Sequence, residues 1–412
     1  MRKNLLKIAA AGCALCLLCT TVTYADPFTE NREVTVNVTG VKIDLNNPPD
    51  PLELHWALMG IDSADMKGHW AERLFYWATR HNIIEGYPDG TIRPDQPMTE
   101  AEFLKTFYRP FLAALTVGKD WTESLYRHAS SWKHPVSGGN NTELRHAPIS
   151  RRKAAEIIAA AQGVRYSGDD AIVYLLGNRL AAGKTDATLE GFAGDDFLTR
   201  AEAVQWIRTL KLRGMFKIKE APEELSDPER LPALLGKAEE ELPDFVYAPV
   251  TIDDFHFTDM DGNITFELGA TKESIDNRYG DPDEHLDFLQ LDVYGSLSVH
   301  YDANGKMEAW NVDNFTHQPK PIRTHKGIVV GESSLSDLLR QYGTAGMEND
   351  NILSYMYETI DGQPTPRFTA KEIIDKNNAI ILSFVVNEDT LKVDYMFCSR
   401  YPYANFDFLN SN

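Results

Sequence analysis

Cysteine is scarce, and what there is sits in the wrong place for cross-links. Cys13, Cys16 and Cys19 cluster near the N-terminus, and only Cys398 lies beyond them. No intramolecular disulfide can form outside that leader, so the folded parts are held by packing alone. A second long apolar run is also missing. The one present, Ile8 to Val22, falls short of the roughly 20 residues a membrane-spanning helix requires. Basic charge is in deficit: 41 Lys and Arg against 61 Asp and Glu give a formal charge of −20. That balance excludes nucleic acid as the main partner, because phosphate recognition needs a local cationic excess. It leaves room for an anionic ligand in a small basic pocket. The histidines carry no metal-ligand spacing. His69, His128, His134 and His146 are unevenly placed, and His256, His285, His300 and His317 scatter among strand-like segments. Neither a cofactor nor a metal is expected.

With 412 residues and 43% hydrophobic content, the chain is long enough for two or three domains. Residues 1–25 read as a signal peptide. Arg2, Lys3 and Lys7 precede the apolar run, and Thr23-Tyr24-Ala25 is a small-residue cleavage site. Acylation at Cys13 is the alternative; its apolar run would be very short, so ordinary cleavage ranks first. Cleavage removes three positive charges and no acids, taking the net charge from −20 to −23. Residues 26–60 form an N-terminal extension. There Val34, Val36 and Val38, then Val41, Ile43 and Leu45, alternate around Gly40 and suggest a hairpin.

The most informative stretch runs from Asp65 to Phe103. Leu74, Trp77, Ala78 and Ile84 form an apolar stripe at helical spacing, with Asp65 as an expected helix cap. Pro88-Asp89-Gly90 is a turn. Thr99 followed by Glu102 has capping-box spacing for a second helix. Gly68-His69-Trp70-Ala71, Gly86-Tyr87-Pro88-Asp89-Gly90, Arg93-Pro94-Asp95 and the Thr99-to-Phe103 end closely resemble the S-layer homology module of bacterial cell-envelope proteins.

One helix-loop-helix cannot bury its own apolar face, so the unit should recur. Trp70 precedes Glu100 by thirty positions, and Trp121 precedes Arg151 by thirty. A third helix start is Leu198-Thr199-Arg200-Ala201-Glu202; thirty positions back from Arg200 is Asp170, so that tryptophan is absent. Residues 61–213 are therefore expected to hold three modules, 61–115, 116–165 and 166–213, as an all-α pseudo-threefold trimodule. An acidic, proline-punctuated linker follows over 214–244, either extended by charge repulsion or packed as a charged helix. Residues 245–412 read as an α+β domain with two tandem helix-on-antiparallel-sheet repeats, 245–318 and 319–412. They show a weak similarity to tandem-repeat inhibitor and small-lipoprotein folds. The Asp261-Gly262 turn is a hairpin signal.

The resemblance implies what the first half does. In that family the modules bind an anionic, often pyruvylated secondary cell-wall polymer on peptidoglycan, in grooves between modules. Carried over, the aromatic positions are Trp70 and Trp121, the arginines are Arg151 and Arg200, and Tyr87, Asp89 and Gly90 lie at a groove rim. Position 100 is glutamate where the family has arginine. A sugar face wants an aromatic ring, and a carboxylate wants a two-pronged arginine. Core packing is the competing reading for Trp121, and a solvated helix face for Arg151-Arg152-Lys153.

Three other motifs fail. Five residues separate Gly177 from Gly183 where a phosphate loop needs four. Ser150 to Lys153 has penicillin-interacting spacing without its companion motifs. Asp259, Asp261 and Asn263 put glycine at the wrong place for a calcium loop. The expected protein is exported, non-enzymatic and wall-bound at the cell surface, with 245–412 as a recognition domain. The alternatives are a tethered extracellular enzyme, with hydrolase activity in 245–412 and acids such as Asp287 and Asp292 joined to a histidine, or a scaffold that binds protein partners.

Overall fold

A computed structural model describes residues 35–38, 41–44, 56, 63–112, 120–234, 246–287, 289–316, 318–349, 351–367, 373–400 and 403. The expected leader, residues 1–25, lies outside them. Two compact units result: residues 59–244, and residues 245–412 grouped with 1–58. The chain is multidomain, one part helical and one part α+β.

The extension contains the expected hairpin. Strands β1 (Thr35–Val38) and β2 (Val41–Asp44) pair antiparallel, Thr35 opposite Asp44 and Val38 opposite Val41.

The helical unit contains α1 (Glu72–Arg80), α2 (Glu100–Tyr108), α3 (Trp121–Ser131), α4 (Thr142–Arg145), α5 (Arg151–Ala161), α6 (Asp169–Gly177), α7 (Leu189–Phe192) and α8 (Arg200–Leu212). Leu74, Trp77, Ala78 and Ile84 are all buried, as their spacing demands. Asp65 does not cap α1. Its carboxylate accepts the Ile92 and Arg93 N–H groups at 2.9 and 2.5 Å, tying down the loop after the turn.

One local geometry occurs three times. After α1, Asn82 adopts φ 54° and the Ile83 N–H reaches the Ala78 carbonyl at 2.8 Å. After α3, Lys133 has φ 57° and the His134 N–H reaches Ala129 at 2.8 Å. After α6, Arg179 has φ 56° and the Leu180 N–H reaches Leu175 at 2.8 Å. This left-handed residue reverses the chain and satisfies an end carbonyl. It also corrects the counting from sequence. Trp70 and Trp121 each lie twelve residues before their left-handed residue, and twelve before Arg179 is Ser167, not Asp170. The connection from that residue to the next helix start is 18 residues at Asn82–Glu100 and Lys133–Arg151 but 21 at Arg179–Arg200.

The segment read as a linker is docked as far as it is described. The Lys219 N–H bonds the Ala161 carbonyl at 2.9 Å, Ala221 bonds Trp132 at 2.9 Å and Ser226 bonds Arg165 at 2.8 Å. Tyr166 donates to the Asp227 carbonyl at 3.2 Å, and Lys133 pairs with Glu220 and Glu223. Residues 217–227 are thus a strap along the helices, neither extended nor helical. Residues 235–244 of that segment lie outside the described residues.

The α+β unit carries a nine-stranded sheet in the order β10-β11-β13-β14-β8-β7-β6-β5, with β12 added beside β11. Its strands are β5 (Glu284–Leu286), β6 (Leu291–Tyr294), β7 (Leu297–Tyr301), β8 (Met307–Asp313), β10 (Met347–Asn349), β11 (Ile352–Ile360), β12 (Gln363–Arg367), β13 (Ala379–Val386) and β14 (Val393–Arg400). A three-stranded sheet holds β4 (Ile264–Phe266), β3 (Phe257–Asp259) and β9 (Ile322–Thr324). The large sheet is mirrored about its centre, where β8 and β14 pair from Ala309 opposite Ser399 to Asp313 opposite Tyr395. Directly opposed residues share a sheet face. Leu297, Val312, Met396 and Phe384 follow one another across four strands, as do Val299, Trp310, Cys398, Leu382 and Tyr355 across five. All nine are 2% exposed or less. Helices α9 (Lys272–Tyr279) and α10 (Leu335–Tyr342) each end in a positive-φ glycine, Gly280 and Gly343.

The Asp261-Gly262 hairpin is present as β3–β4. The strand before α10 is β9.

Candidate functional site

The helical unit is knotted together at three helix starts. The Met98 N–H bonds the Leu198 carbonyl at 2.9 Å, Leu198 bonds Ile149 at 3.0 Å, and Ile149 bonds Met98 at 2.9 Å. A second ring surrounds the first: Glu100 to Ala147 at 3.1 Å, Arg151 to Asp196 at 2.8 Å and Arg200 to Gln96 at 3.0 Å. Met98, Ile149 and Leu198 are buried at its centre. Each helix that follows is capped. Thr99 and Thr199 form capping boxes with Glu102 and Glu202, and Ser150 accepts the Lys153 N–H.

The first helical residue of each start reaches to another part of the ring. Arg151 is 1% exposed. It donates to the carbonyls of Phe192 (2.7 Å) and Ala182 (2.9 Å), pairs with Glu202 at 2.6 Å and stacks on Phe192 and Trp206. Arg200 is 6% exposed and donates to the carbonyls of Ile92 (3.0 Å) and Glu85 (2.7 Å). Burial lowers the pKa of both guanidinium groups, and Glu202 chiefly offsets it at Arg151. Both are used up inside the fold. A ligand carboxylate cannot reach them without displacing these bonds.

Glu100 is the third member. Its carboxylate accepts the Gly138 and Ser137 N–H groups at 2.7 and 2.8 Å and the Tyr126 hydroxyl at 2.9 Å.

Trp70 is 50% exposed at the start of α1, beside His69. Trp121 is half-buried, with the Lys105 ammonium 5.6 Å from its ring centre. Tyr87 is half-buried, receives the Gln96 amide at 2.9 Å and lies under the Arg93 guanidinium at 4.0 Å. Asp89 is exposed; the Thr91 hydroxyl, the Arg93 guanidinium and the Thr91 N–H hold its carboxyl at about 2. Gly90 takes φ 84°.

A cavity of about 410 Å³ opens beside the α5 start, lined by Glu100, Leu144, Pro148, Ser150, Arg152 and Lys153 among others. Arg151 points inward, and its neighbours Arg152 and Lys153 supply the positive charge at the cavity. Arg152 is paired with Asp169 and Asp195, and Lys153 with Glu156. The helix-start N–H groups of Arg151 and Arg152 are themselves bonded, to Asp196 and Gly194.

These observations define a class: a helical unit closed on a three-cornered hydrogen-bonded ring, in a chain that also carries an α+β unit. Residues 64–104, which supply the first corner, match the S-layer homology domain family. The chain therefore carries an S-layer homology domain, a module of cell-surface proteins. Over 46 residues it is 44% identical to the cellulosome-anchoring protein of Acetivibrio thermocellus, a match covering 11% of this chain and 10% of that protein. The chain thus aligns with about a tenth of that relative's length. Among the described residues no helix is long and apolar enough to cross a membrane.

Proposed function

We propose that residues 61–213 are three S-layer homology modules, 61–115, 116–165 and 166–213, that attach the protein non-covalently to a secondary cell-wall polymer of a bacterial envelope. Residues 245–412, a tandem-repeat α+β recognition domain, would be displayed from that anchor at the cell surface. The observation that supports this most is the exposed Trp70 indole within the matched domain. A tryptophan serving only as core would be covered, and a flat exposed ring suits a sugar face. The relative's printed role as an anchoring protein points the same way. Arg152 and Lys153 at the cavity are the cations for an anionic, pyruvylated sugar. Arg151 and Arg200 serve as positioning residues of the ring.

The test is co-sedimentation of the mature protein with cell walls before and after their secondary polymers are stripped. Retention on native walls, lost on stripped walls and reduced in Trp70→Ala and Lys153→Glu, is expected. Equal retention on stripped walls rejects the anchor.

One observation favours a second reading, a tethered hydrolase. His285 Nδ1 lies 2.6 Å from Asp292 and its Nε2 lies 3.5 Å from the exposed Asp287. Such a dyad orients an imidazole as a general base. Turnover of wall fragments abolished by His285→Asn would establish it.

A further inference from the structure

One histidine joins the strap to two helices. His134 follows the left-handed Lys133 after α3 and is 5% exposed. Its Nε2 lies 3.0 Å from the Lys219 carbonyl and its Nδ1 lies 2.8 Å from the Tyr108 hydroxyl at the end of α2. A carbonyl can only accept, so Nε2 carries the hydrogen and Nδ1 accepts from Tyr108. Lys219 is thereby bonded at both its backbone groups, the N–H to Ala161 at the end of α5 and the carbonyl to His134. Two residues on, the Ala221 N–H bonds the carbonyl of Trp132, whose ring centre is 5.6 Å from that of His134.

This arrangement fits the neutral imidazole. A proton added at Nδ1 turns the acceptor into a second donor aimed at Tyr108, whose own hydrogen then loses its partner. The new charge would sit in a nearly closed site where both ring nitrogens face neutral groups, a costly placement. Burial lowers the His134 pKa, and the Lys219 carbonyl offsets part of that. Tyr108 keeps its proton throughout, because burial raises its pKa well above the ordinary value. The charged groups beside the strap are paired with one another, Lys133 with Glu220 and Glu223. Lys133 holds the Glu223 carboxyl below its usual range, so that pair persists at the pH where an imidazole titrates. The other histidine here is His128 of α3, stacked on Trp132 with ring centres 5.2 Å apart.

We propose that His134 is a proton-operated latch: protonating it lifts residues 219–221 off the ends of α3 and α5 and leaves the ring at the three helix starts intact. An imidazolium needs water. Tyr108 is fully buried within α2, so the strap carbonyl is the partner that can leave to admit it. Once open, the site holds an ordinary imidazole that titrates near 6.5. The opening equilibrium is therefore flat above that value. Below it, opening rises by up to about tenfold per pH unit until the docked value is reached. The latch does not depend on wall anchoring, and the residues it releases become free chain after the helices.

Amide hydrogen exchange of the mature full-length protein, read as protection factors from about pH 7.5 down to about pH 5, spans the imidazole range and tests it. The Lys219 and Ala221 amides should lose protection by up to about tenfold per unit below roughly 6.5, while Met98, Ile149 and Leu198 keep theirs. His134→Gln can donate to Lys219 and accept from Tyr108 without titrating, so it should abolish the response. His128→Gln should retain it. Should His134→Gln fail to fold, wild type decides alone: the His134 ring resonances must titrate over the range in which strap protection is lost. Protection independent of pH overturns the inference. So does a response that survives in His134→Gln or vanishes in His128→Gln, or ring amides that open together with the strap.

Discussion

The Glu100 carboxylate accepts the Gly138 backbone N–H at 2.7 Å. The contact inverts the polarity found at the two equivalent positions. Arg151 and Arg200 donate to backbone carbonyls, whereas Glu100 accepts from backbone N–H groups. The loop turns N–H groups toward the one anionic member of the three. A side chain at Gly138 would place its Cβ 2.6 Å from Arg145 and 2.7 Å from the Tyr126 oxygen, so glycine permits the approach. Restoring the family residue should therefore harm the fold. Glu100→Arg is expected to destabilise the helical unit by about 3 kcal/mol, because it aims a cation at two N–H donors and strands them. Glu100→Gln should cost less. Thermal unfolding followed by tryptophan emission reads this, since five of the seven tryptophans lie in the helical unit. A Glu100→Arg protein as stable as wild type would refute it.

Arg151 separates a positioning role from a binding role. Breaking a buried ion pair by removing one partner costs about 3–5 kcal/mol, and lysine cannot reproduce its fork to two carbonyls and Glu202. Arg151→Lys should lower stability by about that amount. Lys153→Glu, whose partner Glu156 sits near the surface, should leave the melt nearly unchanged while reducing wall retention. A stable Arg151→Lys that simply loses wall binding would return that residue to the ligand site.

Much of this was legible in the sequence, and the losses have local causes. The capping residue Thr99 and the stripe Leu74-Trp77-Ala78 could be read because each depends on near neighbours. The third unit was misaligned at Asp170 because three extra residues lie in its connection, visible only once Arg179 shows its left-handed φ. Strand β12 went unread because it holds Pro364 and Pro366; prolines are tolerated there because, among the described residues, it pairs only with β11. The inward turn of Arg151 could not be read either, since Arg151, Arg152 and Lys153 are chemically alike and only the ring decides which faces in. The strap was missed because its anchors, such as Ala161 and Trp132, lie far off in sequence.

Gly177 lets residues 232–233, just past the strap, lie close against α6. A Cβ there would meet the Pro232 ring at 2.5 Å and the Ala233 carbonyl at 3.1 Å. Gly177 is the last residue of α6, so the propensity gain of alanine over glycine inside a helix is small there, while overpacking costs about 1–3 kcal/mol. Gly177→Ala should therefore loosen residues 217–234 while leaving α6 intact. Faster proteolytic cleavage within that segment is the expected readout, and an unchanged rate would show that the strap yields without cost.

The turn at Asp89 predicts a pH response. Its carboxyl is held at about 2 by the Thr91 hydroxyl, Arg93 and the Thr91 N–H, against about 3.9 in an unfolded chain. A depressed carboxyl stabilises the fold above the unfolded value, and the benefit fades as pH falls from there through the folded value. Carbon NMR of the Asp89 carboxyl should give a midpoint near 2, moved upward in Thr91→Val and Arg93→Gln. A midpoint near 4 in wild type would mean that these bonds do not form in solution.

The two glycines ending α9 and α10 make a matched pair in the α+β unit. Gly280 and Gly343 have φ 83° and 80° with ψ −169° and −178°, an almost glycine-only region, so alanine at either meets a similar backbone strain of about 1–3 kcal/mol. Their surroundings differ. A Cβ at Gly280 has nothing within 4 Å, whereas one at Gly343 would lie 2.3 Å from the Val246 carbonyl and 2.6 Å from the Ala248 nitrogen. Those are backbone atoms, and the segment is stitched down by the Thr344 and Ala345 N–H groups bonding Val246 at 2.7 and 2.9 Å. Gly280→Ala should lower the melting point slightly. Gly343→Ala should lower it further and speed amide exchange at Thr344 and Ala345, because the residue 246–248 segment must lift away. Equal losses at the two sites would show that strain alone, and not this close approach, requires glycine after α10.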